Sequence, residues 1–224
     1  MSIPVMILGP SGTGKSTSLR EFKRGEIAVM NVLGKPLPIR ENLEQAVPKR
    51  ENGLYINQVS AAIKGDKSHK AVMVDDFGYS ITEIYMRYSH GAEKLKDQFE
   101  VYKIIGARVW NLICDVMGDG NVDRIVYFTM HTDVDANGNV IPATIGKLLN
   151  EKVNLVGMFS IVLMASTDGE HYVFSTNGTP PAKSPMGMFE EAEIPNDLKA
   201  VDARIREFYG YDPLPAPKKK EVAE

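Results

Sequence analysis

Residues 3–17 read IPVMILGPSGTGKST, and the fold expected of the whole chain turns on how this stretch is interpreted. Ile3 to Leu8 is a short apolar run, the length of a strand buried on both faces, and it stops at Gly9. Gly9 to Ser16 then satisfies G-x-x-x-x-G-K-[ST], and Lys15 to Arg24 reads as a helix that Gly25 stops. Strand, glycine loop and helix together form the setting in which this motif cradles phosphate. A nucleoside triphosphate crowds several negative charges into a small volume, so its site must offer donors without bulky side chains in the way. Gly9, Gly12 and Gly14 let backbone amides turn inward, and a helix beginning near Lys15 adds its positive end. The predicted contact set is Gly9, Pro10, Ser11, Gly12, Thr13, Gly14, Lys15, Ser16 and Thr17. Within it Lys15 reaches the β- and γ-phosphates and the Ser16 hydroxyl is a ligand of Mg²⁺.

Working outward, Ile27–Leu33 is predicted as a strand, residues 34–48 as a loop, and Tyr55–Lys64 as a short helix. Ala71–Val74 is a further buried strand, with Asp75-Asp76 at its tip. A strand-end aspartate holds Mg²⁺ directly or through water, which points to Asp75 as the metal ligand. Asp76 faces the opposite way unless the strand has already ended, and it is the candidate base for the attacking water. Glu83, on the helix predicted from Ser80 to His90, competes for that role.

A long helix is predicted over Asp97–Met117, with Val101, Ile104, Ile105, Val109, Leu112, Ile113, Val116 and Met117 on one face and Trp110 packed beside it. Arg124–Met130 is another strand, followed by His131. If it lies beside the Asp75 strand, His131 faces the γ-phosphate and can report its state. Phe159–Ala165 and His171–Thr176 flank STDGE as an antiparallel hairpin turning at Asp168-Gly169, and Leu198–Tyr209 is a closing amphipathic helix. Strands alternating with helices and then a hairpin predict an α/β fold: a mainly parallel central sheet flanked by helices, with a C-terminal antiparallel hairpin.

TDVDANGNVIPAT imitates a calcium loop through Asp133, Asp135, Asn137 and Gly138. Its twelfth position, however, is Thr144 rather than glutamate, and Pro142 breaks an exit helix. Asn137-Gly138 is instead a hairpin-turn signal.

The 224 residues suit one domain over 1–210, with a flexible Pro- and Lys-rich tail over 211–224. Apolar content of 43% and charged content of 25% exclude disorder throughout. A net charge of −3 offers no global attraction to nucleic acid, so any DNA contact must come from a local patch or from neighbouring subunits. The single cysteine, Cys114, cannot form an internal disulfide and is expected to be a buried small hydrophobe. MSIPVMIL lacks a basic leader and no apolar run reaches the length of a membrane span, so a cytoplasmic protein without a membrane partner is expected.

With the Gly9–Ser16 loop, the VMVDD and YFTMH strand ends and the late AKSPMG segment in place, the chain resembles the RecA-like P-loop ATPases encoded by phages. The likeness is closest to the nucleotide-binding proteins that include single-strand annealing, recombination-associated members. It spans most of residues 3–190, and the phosphate loop is its specific part. The resemblance implies a RecA-like P-loop NTPase fold, ATP with Mg²⁺, a metal ligand at Asp75 and a γ-phosphate sensor at His131. It also implies self-association as a ring or filament, single-stranded DNA as partner, and the host cell cytoplasm as location. RecA-like assemblies commonly send a basic residue of a K-x-R pattern into the neighbouring subunit's site. Lys183 matches the lysine, Pro185 stands where arginine is expected, and Lys147 in IGKLL is the alternative donor.

The expected function is Mg²⁺-dependent ATP binding and hydrolysis in phage DNA recombination, annealing or replication. ATP over GTP follows from the likeness, since no N-K-x-D stretch is visible. The alternative is a nucleoside monophosphate kinase-like phosphotransferase. Against it, Arg87, Arg108 and Arg124 are scattered rather than gathered in a lid that shields a transferred phosphoryl group.

Overall fold

Alternate residues of the opening strand, β1 (Ile3–Leu8), enter two different cores: Ile3, Val5 and Ile7 face one, Met6 and Leu8 the other. A strand covered on both faces has no solvent side to be polar on, which is why the run is apolar without interruption. The computed structural model describes residues 2–121 and 123–215. In chain order β1 is followed by β2 (Ile27–Asn31), β3 (Glu44–Ala46), α1 (Tyr55–Gly65), β4 (Ala71–Asp75), α2 (Gly78–Ser89) and α3 (Gln98–Gly118). Then come β5 (Ile125–Met130), β6 (Thr132–Val134), β7 (Val140–Pro142), β8 (Ile161–Thr167), β9 (Tyr172–Ser175), β10 (Glu193–Pro195) and α4 (Leu198–Tyr209).

Eight strands form one sheet in the order β10-β9-β8-β1-β5-β4-β2-β3. Neighbours from β8 across to β3 pair in parallel, and β9 and β10 add antiparallel to the other edge. The predicted α/β class, parallel sheet and closing hairpin are all present. Ile56, Val59 and Ile63 of α1, Ile81 and Ile84 of α2, and the apolar stripe of α3 cover Met6, Leu8, Val72, Val74, Val126 and Phe128 on one face. On the other face Leu19 and Phe22, with Leu198, Val201 and Ile205 of α4, cover Val5, Ile7, Met73, Tyr127 and Leu163. A buried side chain of this kind contributes about 1.5–3 kcal/mol. Asp197 caps α4 by accepting from the amides of Lys199 and Ala200, the N-cap role that short polar acceptors fill.

Several local expectations are corrected. The helix predicted from Lys15 to Arg24 is only a 3₁₀ turn, Thr17–Glu21. Leu19 and Phe22 are both fully buried and three residues apart, a spacing that a 3₁₀ turn stacks on one side. Ser18 also donates back to the carbonyl of Lys15 at 2.6 Å, competing with regular helix bonding. The segment predicted as loop over 34–48 contains β3, an edge strand whose three residues are all exposed and which carries no apolar signal. Trp110 is 49% exposed rather than packed, and Cys114 is half-buried.

β6 and β7 form the hairpin that Asn137-Gly138 announced. The Asp135 carboxylate is taken up by the amides of Asn137 and Asn139 and by the Asn139 side chain, as a turn requires. The tail expected from residue 211 starts with Tyr211 and Leu214 packed against the second core. Residues 216–224, with the tail's three lysines, lie outside the described residues. Among the described residues, no helix is long and apolar enough to cross a membrane.

Candidate functional site

Parallel strands bring their carboxyl ends to one edge of a sheet, where ligands of open α/β sheets bind. At that edge stand the glycine loop after β1, Asp75 closing β4, and His131 after β5. β5 lies between β1 and β4, so the condition attached to His131 is met. The amide of Gly9 bonds to the carbonyl of Met130, tying the start of the loop to the end of β5.

Within the loop, only glycine fits at the tightest points. A Cβ on Gly9 would stand 2.6 Å from the carbonyl oxygen of Ala165. Gly14 has φ +85°, and a Cβ there would meet the Tyr172 ring at 2.9 Å. Lys15 is 6% exposed and folds back over the loop, donating to the carbonyls of Gly9 and Pro10, both at 2.7 Å. Burial lowers its pKa, and Asp76 and then Asp75 oppose that shift. With the following helix cut to a single 3₁₀ turn, the Lys15 ammonium brings positive charge to the loop without a long helix dipole behind it.

Ser16 Oγ lies 2.9 Å from each carboxylate oxygen of Asp75. The buried hydroxyl of Thr129 donates to Asp75 Oδ1 at 2.9 Å and accepts from the amide of Asp76 at 2.7 Å, linking the two acids. Burial raises the Asp75 pKa, and the two hydroxyl bonds only partly offset this. Asp76 takes φ +58°, a left-handed conformation that a non-glycine residue adopts at a cost of roughly 1–3 kcal/mol. The strand therefore ends at Asp75, and the carboxylate of Asp76 stays at the site instead of passing to the far face.

Both oxygens of Asp76 have cationic or cationisable neighbours. Lys35 Nζ is 2.6 Å from Oδ2, and His131 Nε2 is 3.5 Å from Oδ1. Hydrogen bonding to Asp76 raises the Lys35 pKa. Burial, and next the charge of Lys15, lower that of His131, which favours the neutral imidazole. Tyr79, on α2, packs edge-on against His131 and lies under the Lys35 ammonium, 5.8 Å from ring centroid to Nζ.

The structure therefore gathers Lys15, Ser16, Asp75, Asp76 and His131 but not every predicted member of the site. Glu83 is spent elsewhere: it pairs with Arg87 at 2.6 Å and accepts from the amide of Tyr55, so it does not join the site as a base. Lys183 pairs through its backbone with Val162, near the amino end of β8 and away from its own chain's loop. Lys147 is exposed and pairs with Glu151. Of the arginines weighed for a lid, Arg124 is buried at the opposite edge of the sheet and Arg87 holds Glu83 and Glu93. Sequence reasoning missed Thr129 and Lys35 as members of the site. A threonine inside a fully buried apolar strand was a usable signal for the first. Nothing in GKPLP marks the second.

The donor set suits a hard divalent cation: a hydroxyl and a carboxylate in contact, the latter buried with its pKa raised and hydrogen-bonded to hydroxyls. Among the described residues, no group of three or more His, Cys, Asp or Glu is placed to hold a metal. Ser16 and Asp75 would thus be the protein's ligands, with the other positions left to phosphate and water, as Mg²⁺ prefers. No protein-family model matches the chain, and no curated protein matches it.

Proposed function

We propose that the protein is a P-loop ATPase that holds Mg²⁺ and ATP at residues 9–17 and hydrolyses the γ-phosphate at Asp75, Asp76 and His131. The observation that carries this reading is the contact of Ser16 Oγ with both oxygens of Asp75. Two residues 59 apart in sequence, predicted independently as the two protein ligands of one ion, meet at a single point. Bound Mg²⁺ supplies countercharge to the phosphate oxygens. Loop amides bind and orient the triphosphate, and Lys15 exchanges its bonds to the Gly9 and Pro10 carbonyls for phosphate oxygens. Asp76 holds the attacking water and takes its proton. His131, neutral and within reach of Asp76 Oδ1, responds to charge at the γ position. Thr129 orients both acids through one hydroxyl.

Replacing Lys15 with alanine is expected to lower turnover, measured as phosphate release, by roughly 10²–10³; hydrolysis at the parent rate in that variant would falsify the assignment. The wider role, a RecA-like oligomer acting on single-stranded DNA in phage recombination, annealing or replication, rests on the resemblance given above. It is tested by fluorescence anisotropy of a labelled single strand, with and without ATP, at two salt concentrations. Absence of binding at low salt removes DNA from the proposal.

A further inference from the structure

We infer that Lys35 is a γ-phosphate ligand supplied by the same chain, parked on Asp76 until nucleotide arrives and leaving Asp76 free to act as base when it does. This rests on the ATPase reading and adds to it a residue that neither the motif nor the resemblance contains.

The geometry separates a fixed backbone from a movable head. Asn31, which closes β2 and is 3% exposed, donates from Nδ2 to the carbonyl of Lys35 at 2.6 Å. Asn31 is itself in register with Asp75, so the Cα of Lys35 is tied to the strand end that carries the acids. The Lys35 side chain, by contrast, is 59% exposed and reaches Asp76 from solvent. The Tyr79 ring beneath the ammonium offers it an attractive face along this short path.

While Lys35 sits 2.6 Å from Oδ2 and His131 faces Oδ1, Lys35 fills the place at Oδ2 that a water molecule would take. A terminal phosphate carries more negative charge than one carboxylate and offers three acceptor oxygens, so it outcompetes Asp76 for the ammonium. Transfer of the ammonium then couples nucleotide arrival to release of the base. In the step that follows, the water oxygen bonds to the γ-phosphorus, the bond to the bridging oxygen of ADP breaks, and the water proton passes to Asp76 Oδ2. The positive charge left beside the γ-phosphate is Lys35, so no basic residue from a neighbouring subunit is needed for that purpose. Within its own chain neither Lys183 nor Lys147 reaches the site.

The test compares the parent protein with Lys35→Ala and Lys35→Arg, using fluorescent ATP and ADP analogues for affinity and phosphate release for turnover. Lys35 is exposed, so neither variant threatens the fold. Lys35→Ala is expected to weaken ATP about tenfold while leaving ADP within about twofold, because only the γ-phosphate contact is lost. It should lower kcat roughly 10²-fold, as loss of one positioned charge does, with partial rescue by arginine. An unchanged preference for ATP over ADP overturns the inference and leaves the ATPase reading standing, as does faster turnover at unchanged affinity. A parent protein that binds neither nucleotide sinks both. Mixing Lys35→Ala with Lys15→Ala subunits separates the two possible donors: no recovery of turnover is expected for a ligand acting within one chain, and recovery overturns it.

Discussion

Charge is buried at both edges of the sheet, in opposite ways. At the amino ends of the strands, Arg124 and Arg206 are 1% and 2% exposed. Arg124 donates to the carbonyls of Ile63, Asp66 and His69 and to Asp119. Arg206 holds Asp202 and the carbonyls of Lys70, Asp123 and Asp212. Asp202 in turn accepts from the Tyr127 hydroxyl at 2.8 Å. Most of these partners are backbone carbonyls where α1 ends and β4 and β5 begin, groups held in place by the fold itself.

At the carboxyl ends, Lys15 spends its donors on the loop's own carbonyls and Asp75 is bonded to hydroxyls. Asp76 sits in a left-handed conformation with a lysine borrowed from solvent. The bonds of Lys15 and Lys35 there go to the loop's own carbonyls and to a carboxylate reached from solvent, so a ligand can replace them without disturbing either core, while Thr129 holds both acids from within β5. A buried cation near a carboxylate is therefore no sign of function in itself. What separates the two edges is whether the partners are replaceable.

Four substitutions break or sharpen this contrast. The largest effect is expected at the amino edge: Arg206→Met leaves Asp202 buried without its guanidinium and should cost about 3–5 kcal/mol in urea unfolding. A loss under about 1 kcal/mol would make that edge as dispensable as the other. Lys15→Ala should do the reverse, lowering hydrolysis by roughly 10²–10³ while shifting unfolding free energy by less than about 1 kcal/mol. If both edges prove equally costly to stability, the distinction fails.

Asp75→Asn is expected to stabilise the ligand-free protein by on the order of 1 kcal/mol, as relief of a strained site does, and to remove Mg²⁺-dependent turnover. The sign follows from the raised pKa of Asp75 in the folded state. Stability from this group is present below the unfolded carboxylate value and lost as pH rises through the folded one. The advantage of the variant should therefore shrink on acidification, and an advantage that grew instead would contradict the assignment. The smallest effect belongs to His131, whose pKa is lowered. In the window just below the ordinary imidazole value of about 6.5, the unfolded chain holds this proton more fully than the folded one, so stability rises with pH there. His131→Gln should flatten that part of the pH–stability profile slightly, since the ring is 32% exposed.

Elements with a long apolar pattern were legible from residues alone. α4 has the predicted ends, and β1, β4, β5 and α3 agree to within a residue or two, because burial on one face or two writes directly into hydrophobic period. The 3₁₀ turn after the loop and the exposed strand β3 were not legible. The first depends on two side chains reaching one core, and the second on backbone pairing that its side chains do not reflect. At the candidate site, Lys15, Ser16 and Asp75 could be singled out because a loop motif and a strand end each leave a local signature, and the structure brings Ser16 and Asp75 into contact. Glu83 was misread because its pairing with Arg87 and Tyr55 is a matter of packing.

The amino-acid sequence by itself determined that a glycine loop follows a doubly buried strand, that acids and a histidine end two others, and that strands and helices alternate. Only the tertiary structure decided that Thr129 joins the two acids, that Asp76 turns back to the site, and that Lys35 rests on it. The physical reason is range. Hydrophobic period and loop chemistry act between near neighbours along the chain, whereas a hydrogen bond between residues 53 apart exists only after parallel strands have brought their ends together.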